Sequence, residues 1–599
     1  MTGERAGGNG CELLPSNDQS VSPGHDYSTS SAALADSETT TVPNDEVEAL
    51  DPGDRSCAEI LLDIVTEAEL FHAADGTEFA DIIVNGHRET WPIRSNGFKR
   101  WLARQFFALT TGAPNATAVN TALLVIQARA HYDGPEREVH VRVAGHCGRL
   151  YLDLADPAWR VVEIAADGWR IVDSAPVRFR REPGMRALPD PKTGGSIDAL
   201  RPFLNLGSDE DFVLLVSWLL AAFLDRGPYP VLVLRGEQGS AKSSHSELFR
   251  DLLDPNSAPI RSLPRDERDL FIAATRSHLQ AFDNVSRLLA WLSDALCRLS
   301  TGGGFGTRRL RTDQDEILFD GARPVILNGI DDIVSRPDLA DRAVFLTLSP
   351  IPPHLRRAEQ EFWAAFESVR PQILGVLLDA LAHGLGMLPE TRLDGFPRMA
   401  DFALWATACE TAFWKPGTFI AAYSRNVDEA VEDVIEADPV ASAVRQFAAS
   451  RSAWTGTASA LLRCLEQITE PSDRRGSGWP TTARALSGRL RRAATPLRKL
   501  GIEIAFERHG HARTRTIAIV KGQGPSASSA PSAGSTARGG RQLRPSTDKS
   551  APAVRKESGR RGAKGLKARL RTERTMRTQK HGRRSRARRQ SDTSSKRGR

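Results

Sequence analysis

The stretch Val231-Leu232-Val233-Leu234-Arg235-Gly236-Glu237-Gln238-Gly239-Ser240-Ala241-Lys242-Ser243-Ser244 decides the reading of this 599-residue chain. Four apolar residues predict a buried strand, the small residues after them predict a tight turn, and helical spacing follows. A strand that breaks through such a turn into a helix is what the binding of nucleotide phosphates needs. Backbone N–H groups of Gly236, Glu237, Gln238, Gly239, Ser240, Ala241, Lys242, Ser243 and Ser244 close around the phosphates, and the helix start adds its positive end. Lys242 supplies a cation, and the Ser243 hydroxyl is placed to reach Mg²⁺. Ala241 stands where the common form of this loop has a second glycine, so the backbone there has to accept a Cβ. A plain glycine-rich turn is the competing reading, and the residues downstream bear on it.

An ATPase also needs an acid for Mg²⁺ and a polar residue near the γ-phosphate, each at the end of another core strand. Ser277-His278-Leu279-Gln280-Ala281-Phe282-Asp283-Asn284 is a short apolar run ending in Asp283, and Pro324-Val325-Ile326-Leu327-Asn328-Gly329 is another ending in Asn328. Asp283 fits the metal-linked acid and Asn328 fits a residue that orients the attacking water. Separately, each also reads as a strand-end cap or a turn residue. Between them, residues 301–311 form a glycine segment followed by Arg308, Arg309 and Arg311, either a flexible loop that offers charge to a phosphate backbone or a solvated turn. Arg336-Pro337-Asp338-Leu339-Ala340-Asp341-Arg342 then precedes the apolar run 343–348. An arginine here is placed to stabilise transition-state charge on a neighbouring subunit's ATP. Arg342 is preferred to Arg336, with a surface ion pair to Asp338 or Asp341 as the alternative.

Taken in order, Gly236 to Ser243, Phe282-Asp283-Asn284, the glycine–arginine segment, Leu327-Asn328-Gly329 and Asp341-Arg342 resemble the superfamily-3 helicase branch of the AAA+ ATPases, in particular primase-helicase-like ATPases of phages and integrated elements. The resemblance covers residues 202–348 well and, through a C-terminal winged helix, extends more weakly to about residue 520. It implies ATP and Mg²⁺ as cofactors, with Lys242 and Ser243 at phosphate and metal, Asp283 serving the metal, Asn328 as first sensor and Arg342 as the arginine finger. It also implies Arg308 and Arg309 near DNA in the channel of a ring-shaped, possibly hexameric, homo-oligomer. In that family the second motif typically ends in two acids. Here Asn284 follows Asp283, which leaves open what polarises the water.

Outward from this core the composition divides the chain. Residues 1–55 are Ser-, Thr-, Gly- and acid-rich with few large apolar residues, and are expected to be disordered. Residues 56–201 read as an α+β domain of unknown role, with strands at 81–84, 138–143, 149–154, 159–164 and 169–172 and helices at 98–109 and 116–130. His146 and Cys147, with no further ligands nearby, read as structural residues. The α/β P-loop NTPase core spans 202–382 and a helical region spans 383–450. Residues 451–520 hold helices at 458–467, 481–486 and 489–500 and a hairpin of 502–506 with 514–520 around His509-Gly510-His511, the order of a winged helix.

Leu486, Leu490, Leu497 and Leu500 recur at helical spacing and leave Arg489, Arg491, Arg492, Arg498 and Lys499 on other faces. With Arg508, Arg513 and Arg515 on the hairpin they make a duplex-binding surface, unless this domain serves protein contact. Pro496 is expected to kink its helix. Residues 521–599 carry 24 Lys+Arg against four Asp+Glu, so the net charge of +6 conceals a preceding chain at −14. That tail either adds nonspecific phosphate affinity or is merely solvated. Six scattered cysteines without a C-x-x-C pair argue against a disulfide framework and a zinc site, and point to a reducing cytoplasm. The apolar run 212–224 is too short to span a bilayer and reads as a buried helix.

The resemblance implies an ATP-driven DNA helicase or replication initiator of a phage or integrated element. Asn284 favours the alternative of a DNA-binding regulator or loader that uses ATP as a switch. A primase before residue 201 is disfavoured, because no D-x-D-like acid pair with flanking strands stands out there.

Overall fold

The computed structural model describes residues 55–286, 288–308, 316–319, 321–330, 333–475, 478–509 and 514–522. The disorder expected at either end of the chain, and the turn at 510–513 with Arg513, lie outside these residues.

At the centre is a four-stranded parallel sheet. In chain order its surroundings are α1 (Asp209–Ala222), β1 (Val231–Gly236), α2 (Lys242–Leu253), α3 (Glu267–Arg276), β2 (Gln280–Phe282), α4 (Ala290–Thr301), β3 (Phe305–Arg308), β4 (Glu316–Phe319), β5 (Val325–Gly329), α5 (Pro337–Ala340) and β6 (Ala343–Leu348). The sheet order is β2-β5-β1-β6, with Val231 opposite Ala343 and Gly236 opposite Leu348. Its strands are apolar at nearly every position because helices cover both faces. Leu232 and Leu234 point into one core with α1, α2 and later helices, while Val231 and Val233 point into a second with α3, α4 and α5. α1 is capped by Ser208, whose side chain accepts from the Asp211 N–H, and every residue from Phe212 to Ala222 is buried.

β3 and β4 pair antiparallel, Arg308 opposite Glu316, so the expected flexible loop is the first arm of a hairpin. Arg309 and Arg311 lie outside the described residues. After β6 the chain forms α6 (Glu359–Met387), α7 (Ala400–Glu410), α8 (Thr418–Ala437) and α9 (Pro439–Ala449). α6 runs through residue 382 without a break.

The C-terminal part adds β7 (Ala453–Gly456), α10 (Ala458–Ile468), a turn of helix at Pro471–Arg475, α11 (Ala483–Lys499), β8 (Ile502–His509) and β9 (Thr514–Lys521). Two sequence expectations change here. The two short helices expected across 481–500 are one, continuing through Gly488 and Pro496, because Leu486, Leu490, Ala493 and Leu497 share one buried stripe. The expected hairpin is also part of a three-stranded sheet, order β7-β9-β8.

Among the described residues before 201 there are three small sheets. Glu69–His72, Glu78–Val84 and His87–Pro92 form one; Val143–His146, Arg149–Asp153, Val161–Ala165 and Gly168–Val172 form another; and Val139–His140 pairs in parallel with Arg178–Phe179. The single strand expected at 138–143 is broken, with Arg142 in the left-handed region at φ 69°. The cause is visible in its side chain. Arg142 is fully buried, and its Nε–H donates to Asp254 Oδ1 at 3.0 Å while its terminal nitrogens donate to the carbonyls of Asp153 and Arg186. Asp254 caps the C-terminus of α2 and also meets Arg250 at 3.5 Å, the Ser277 hydroxyl at 2.9 Å and the Leu279 N–H at 3.2 Å. Burial alone pushes this carboxyl up, but Arg250 and Arg142 hold it well below the usual carboxylate range. The apolar core is shared as well. Val143, Leu150, Leu152, Val162 and Ile164 belong to the same buried cluster as α1, α2 and α6.

Candidate functional site

β1 ends on Gly236 at φ 151°, where an added Cβ would stand 2.4 Å from the Leu348 carbonyl oxygen. The loop passes Gly239 at φ 85° and enters α2 through Ala241, the N-cap, at φ 64° and ψ 27°. An alanine therefore occupies left-handed backbone, at a cost of about 1–2 kcal/mol. His245 supports it. Its Nδ1 lies 2.7 Å from the Ala241 carbonyl oxygen and its Nε2 accepts the Asn205 backbone N–H at 2.9 Å, so the proton sits on Nδ1. Burial lowers the pKa of this imidazole and favours the neutral form. The Asn205 amide also reaches the Ser349 carbonyl, and Leu206 bridges Leu348, so the segments on either side of the core close behind the loop. Sequence reasoning missed His245 and Asn205, which are 40 residues apart and have no shared motif.

Lys242 folds back over the loop, and its Nζ donates to the carbonyls of Gly236 and Glu237, both at 2.7 Å. The Ser243 hydroxyl donates to the Asp283 carboxylate at 3.1 and 3.2 Å. A residue at the start of α2 and one at the end of β2 thus meet, because β2 and β1 run parallel with β5 between them. The hydroxyl and carboxylate are hard oxygen donors, which fits a Mg²⁺ completed by phosphate oxygens and water. Among the described residues no group of three or more His, Cys, Asp or Glu side chains forms a metal site of its own.

Asn328 comes to the same place from β5, but 1 % exposed. Its Nδ2 donates to the Ser246 hydroxyl at 2.8 Å and its Oδ1 accepts the Asn284 N–H at 3.1 Å. It joins α2 to the turn after β2. Asn284, in left-handed backbone at φ 55°, is exposed. One turn after Ser243, Glu247 is half-buried; burial first, then Asp251, Glu359 and Asp283, push its carboxyl up.

Arg342 is elsewhere. Its carbonyl accepts the Val231 N–H, so it lies at the start of β1, about 17 Å from the loop at 3.3 Å per strand residue. Its guanidinium donates to the Asp338 carbonyl at 2.6 Å, whereas Arg336 pairs with Asp294 at 2.6 Å and Asp338 at 3.7 Å. A cavity of about 660 Å³ also opens at that far end, bordered by Gly227, Thr275 and Ala322, and is separate from the loop.

The basic residues of the C-terminal domain are less uniform than their sequence suggests. Lys499 is held by Asp341 at 2.8 Å, Arg498 faces Glu503 at 3.6 Å and Arg489 faces Asp438 at 3.9 Å. Lys499 is engaged within the chain because α11 packs its last turns against α5 and α8. Arg491 stacks over Phe506 at 4.5 Å, and Arg492 is exposed. On the hairpin, exposed Arg508 stands opposite exposed Arg515, a like-charge pair that a bound anion would relieve.

The parallel sheet with this loop at its carboxyl end defines a mixed α/β protein. Residues 197–433 match the family described as the actinomycete integrative conjugative element replication protein, and residues 440–533 match the C-terminal domain of that family. No curated protein matches the chain. Among solved structures, the NrS-1 C-terminal region is 12 % identical with a TM-score of 0.36, over 78 % of this chain and 98 % of that one. The SCCmec type IV Cch active helicase is 11 % identical with a TM-score of 0.36, over 76 % and 92 %. JCV helicase is 12 % identical with a TM-score of 0.20, over 37 % and 66 %.

Proposed function

We propose that this chain is an ATP-dependent DNA helicase or replication-initiator ATPase of an integrative element, working as a homo-oligomer in the cytoplasm. The observation that carries the reading is the meeting of Ser243 and Asp283 beside Lys242 at the carboxyl end of the sheet, within residues similar to a replication-protein family. The loop from Gly236 to Ser244 is the P-loop, and residues 451–520 are the winged helix that contacts DNA.

Lys242, now on two carbonyls, would donate to the phosphates of bound ATP. The Ser243 hydroxyl and Asp283 carboxylate would hold Mg²⁺, which would supply charge neutralisation at the phosphates. Asn328 braces Asn284 and Ser246 and so fixes where the turn after Asp283 stands relative to α2. Arg342, at the opposite end of the strands, serves a neighbouring subunit's nucleotide. Arg308, Arg309 and Arg311, with Arg491, Arg492, Arg508, Arg513 and Arg515, take DNA phosphates.

A second reading has its own observation. The exposed amide of Asn284 stands where a second acid would polarise water, which suits a loader or regulator that binds ATP as a switch. ATP hydrolysis by the full chain and Lys242→Ala, with no DNA, single-stranded DNA and forked duplex, separates the two. DNA-stimulated turnover that vanishes in the variant supports a motor. Tight binding without turnover supports the switch, and no ATP binding at all refutes both.

A further inference from the structure

β6 ends at Leu348 against Gly236, and the chain then turns back over the loop it has just passed. The Ile351 N–H donates to the Gly239 carbonyl at 3.2 Å, a short 3₁₀ turn follows at Pro353–Leu355, and Arg356 comes next. Pro350, Pro352 and Pro353 restrict the backbone of this return, so its path is set before any ligand arrives. The Arg356 Nε–H donates to the Ile351 carbonyl at 3.2 Å. One of its terminal nitrogens lies 3.4 Å from the point where a Cβ on Gly239 would stand.

The guanidinium is thus held over the apex of the phosphate loop by a neutral carbonyl. Among the described residues no carboxylate is ion-paired with it. An arginine has five N–H donors in a planar fork, and one is used here, which leaves the terminal nitrogens for an acceptor. Lys242 approaches the loop through the carbonyls of Gly236 and Glu237, and Arg356 through the apex at Gly239. A nucleoside triphosphate carries more negative charge than one lysine offsets, and Arg342 lies at the wrong end of the sheet to help within the same subunit.

We infer that Arg356 is a second cation of the nucleotide site, donating from the same subunit to the phosphates of a bound nucleoside triphosphate. This inference rests on the nucleotide-binding reading of the loop. Because Arg356 is exposed and its side-chain hydrogen bond among the described residues goes to the Ile351 carbonyl, removing it leaves the core untouched.

The test titrates Mg-ATP into the full chain and into Arg356→Ala, Arg356→Lys and Lys242→Ala by calorimetry, with nucleotide-free melting temperatures in parallel. Arg356→Ala is expected to bind ATP about tenfold more weakly, the scale of a lost hydrogen bond between charged groups, with its melting temperature unchanged. Arg356→Lys keeps the charge without the fork and is expected to recover part of that loss. ATP binding by Arg356→Ala within twofold of the unsubstituted chain, while Lys242→Ala is impaired, overturns this inference and leaves the loop reading standing. No ATP binding by the unsubstituted chain overturns both. Should Arg356→Ala melt lower, Arg356→Gln is read in its place, with the same two outcomes.

Discussion

Ala241 gives the loop between β1 and α2 a measurable strain. At φ 64° and ψ 27° it sits where a Cβ crowds the following carbonyl, at about 1–2 kcal/mol. Replacing it with glycine removes that cost but adds back about 0.4–1 kcal/mol of unfolded-chain entropy. The expected result for Ala241→Gly is a net gain of about 0.5–1 kcal/mol, or a two- to fivefold shift in the equilibrium for forming the loop. Ala241→Val goes the other way by about 2 kcal/mol, since a β-branched residue is a poorer fit still to left-handed backbone. Gly236 supplies the contrast. Its added Cβ would meet the Leu348 carbonyl at 2.4 Å, so Gly236→Ala has to move backbone and is expected to abolish ATP binding. Urea midpoints report the stability of the three variants, and titration with ATP reports the loop. A destabilised Ala241→Gly, or an Ala241→Val indistinguishable from the parent, would refute the left-handed assignment.

Two further predictions follow from buried charge. Burial, aided by Arg323, depresses His278 to about 4, against about 6.5 unfolded, so the stability it confers is complete above 6.5 and drains as pH falls toward 4. Urea unfolding at pH 7 and pH 5 should differ by about 2 kcal/mol through this residue, and His278→Gln should flatten the difference; an unchanged slope rejects the assignment. Asp254→Asn leaves Arg142 and Arg250 facing each other without a carboxylate and should cost about 3–5 kcal/mol, read as a lowered melting temperature that Arg142→Met partly restores.

How much of this was legible depended on distance along the chain. The strand, loop and lysine are covalent neighbours, and Asp283 and Asn328 announce themselves by closing short apolar runs. Arg356, His245 and Asn205 carry no such mark. His245 touches the loop from one turn into α2, but its partner Asn205, and Arg356 after β6, come there through the tertiary fold, which no local pattern encodes. The hairpin at β3 and β4 was missed because each arm is four residues and the glycines before it suggest a loop. On sequence alone α11 divides between residues 486 and 489, yet the roughly 1 kcal/mol that Gly488 costs a helix is small beside the burial of Leu486, Leu490 and Leu497. Arg142 broke an expected strand for the opposite reason, a side chain whose buried partner lies 112 residues away.

The shared core across residue 201 decides where a working fragment of this molecule can begin. A piece beginning at residue 202 would bare the apolar backs of α1 and α6 where Val143, Leu150, Leu152, Val162 and Ile164 now lie, and would strip Asp254 of one of its two arginines. Such a fragment would be prone to aggregate before its chemistry was ever assayed. The sheet from Val143 to Val172 is therefore as much a part of the central domain's frame as the helices that follow the loop, and an inactive fragment starting at residue 202 would say nothing about Lys242.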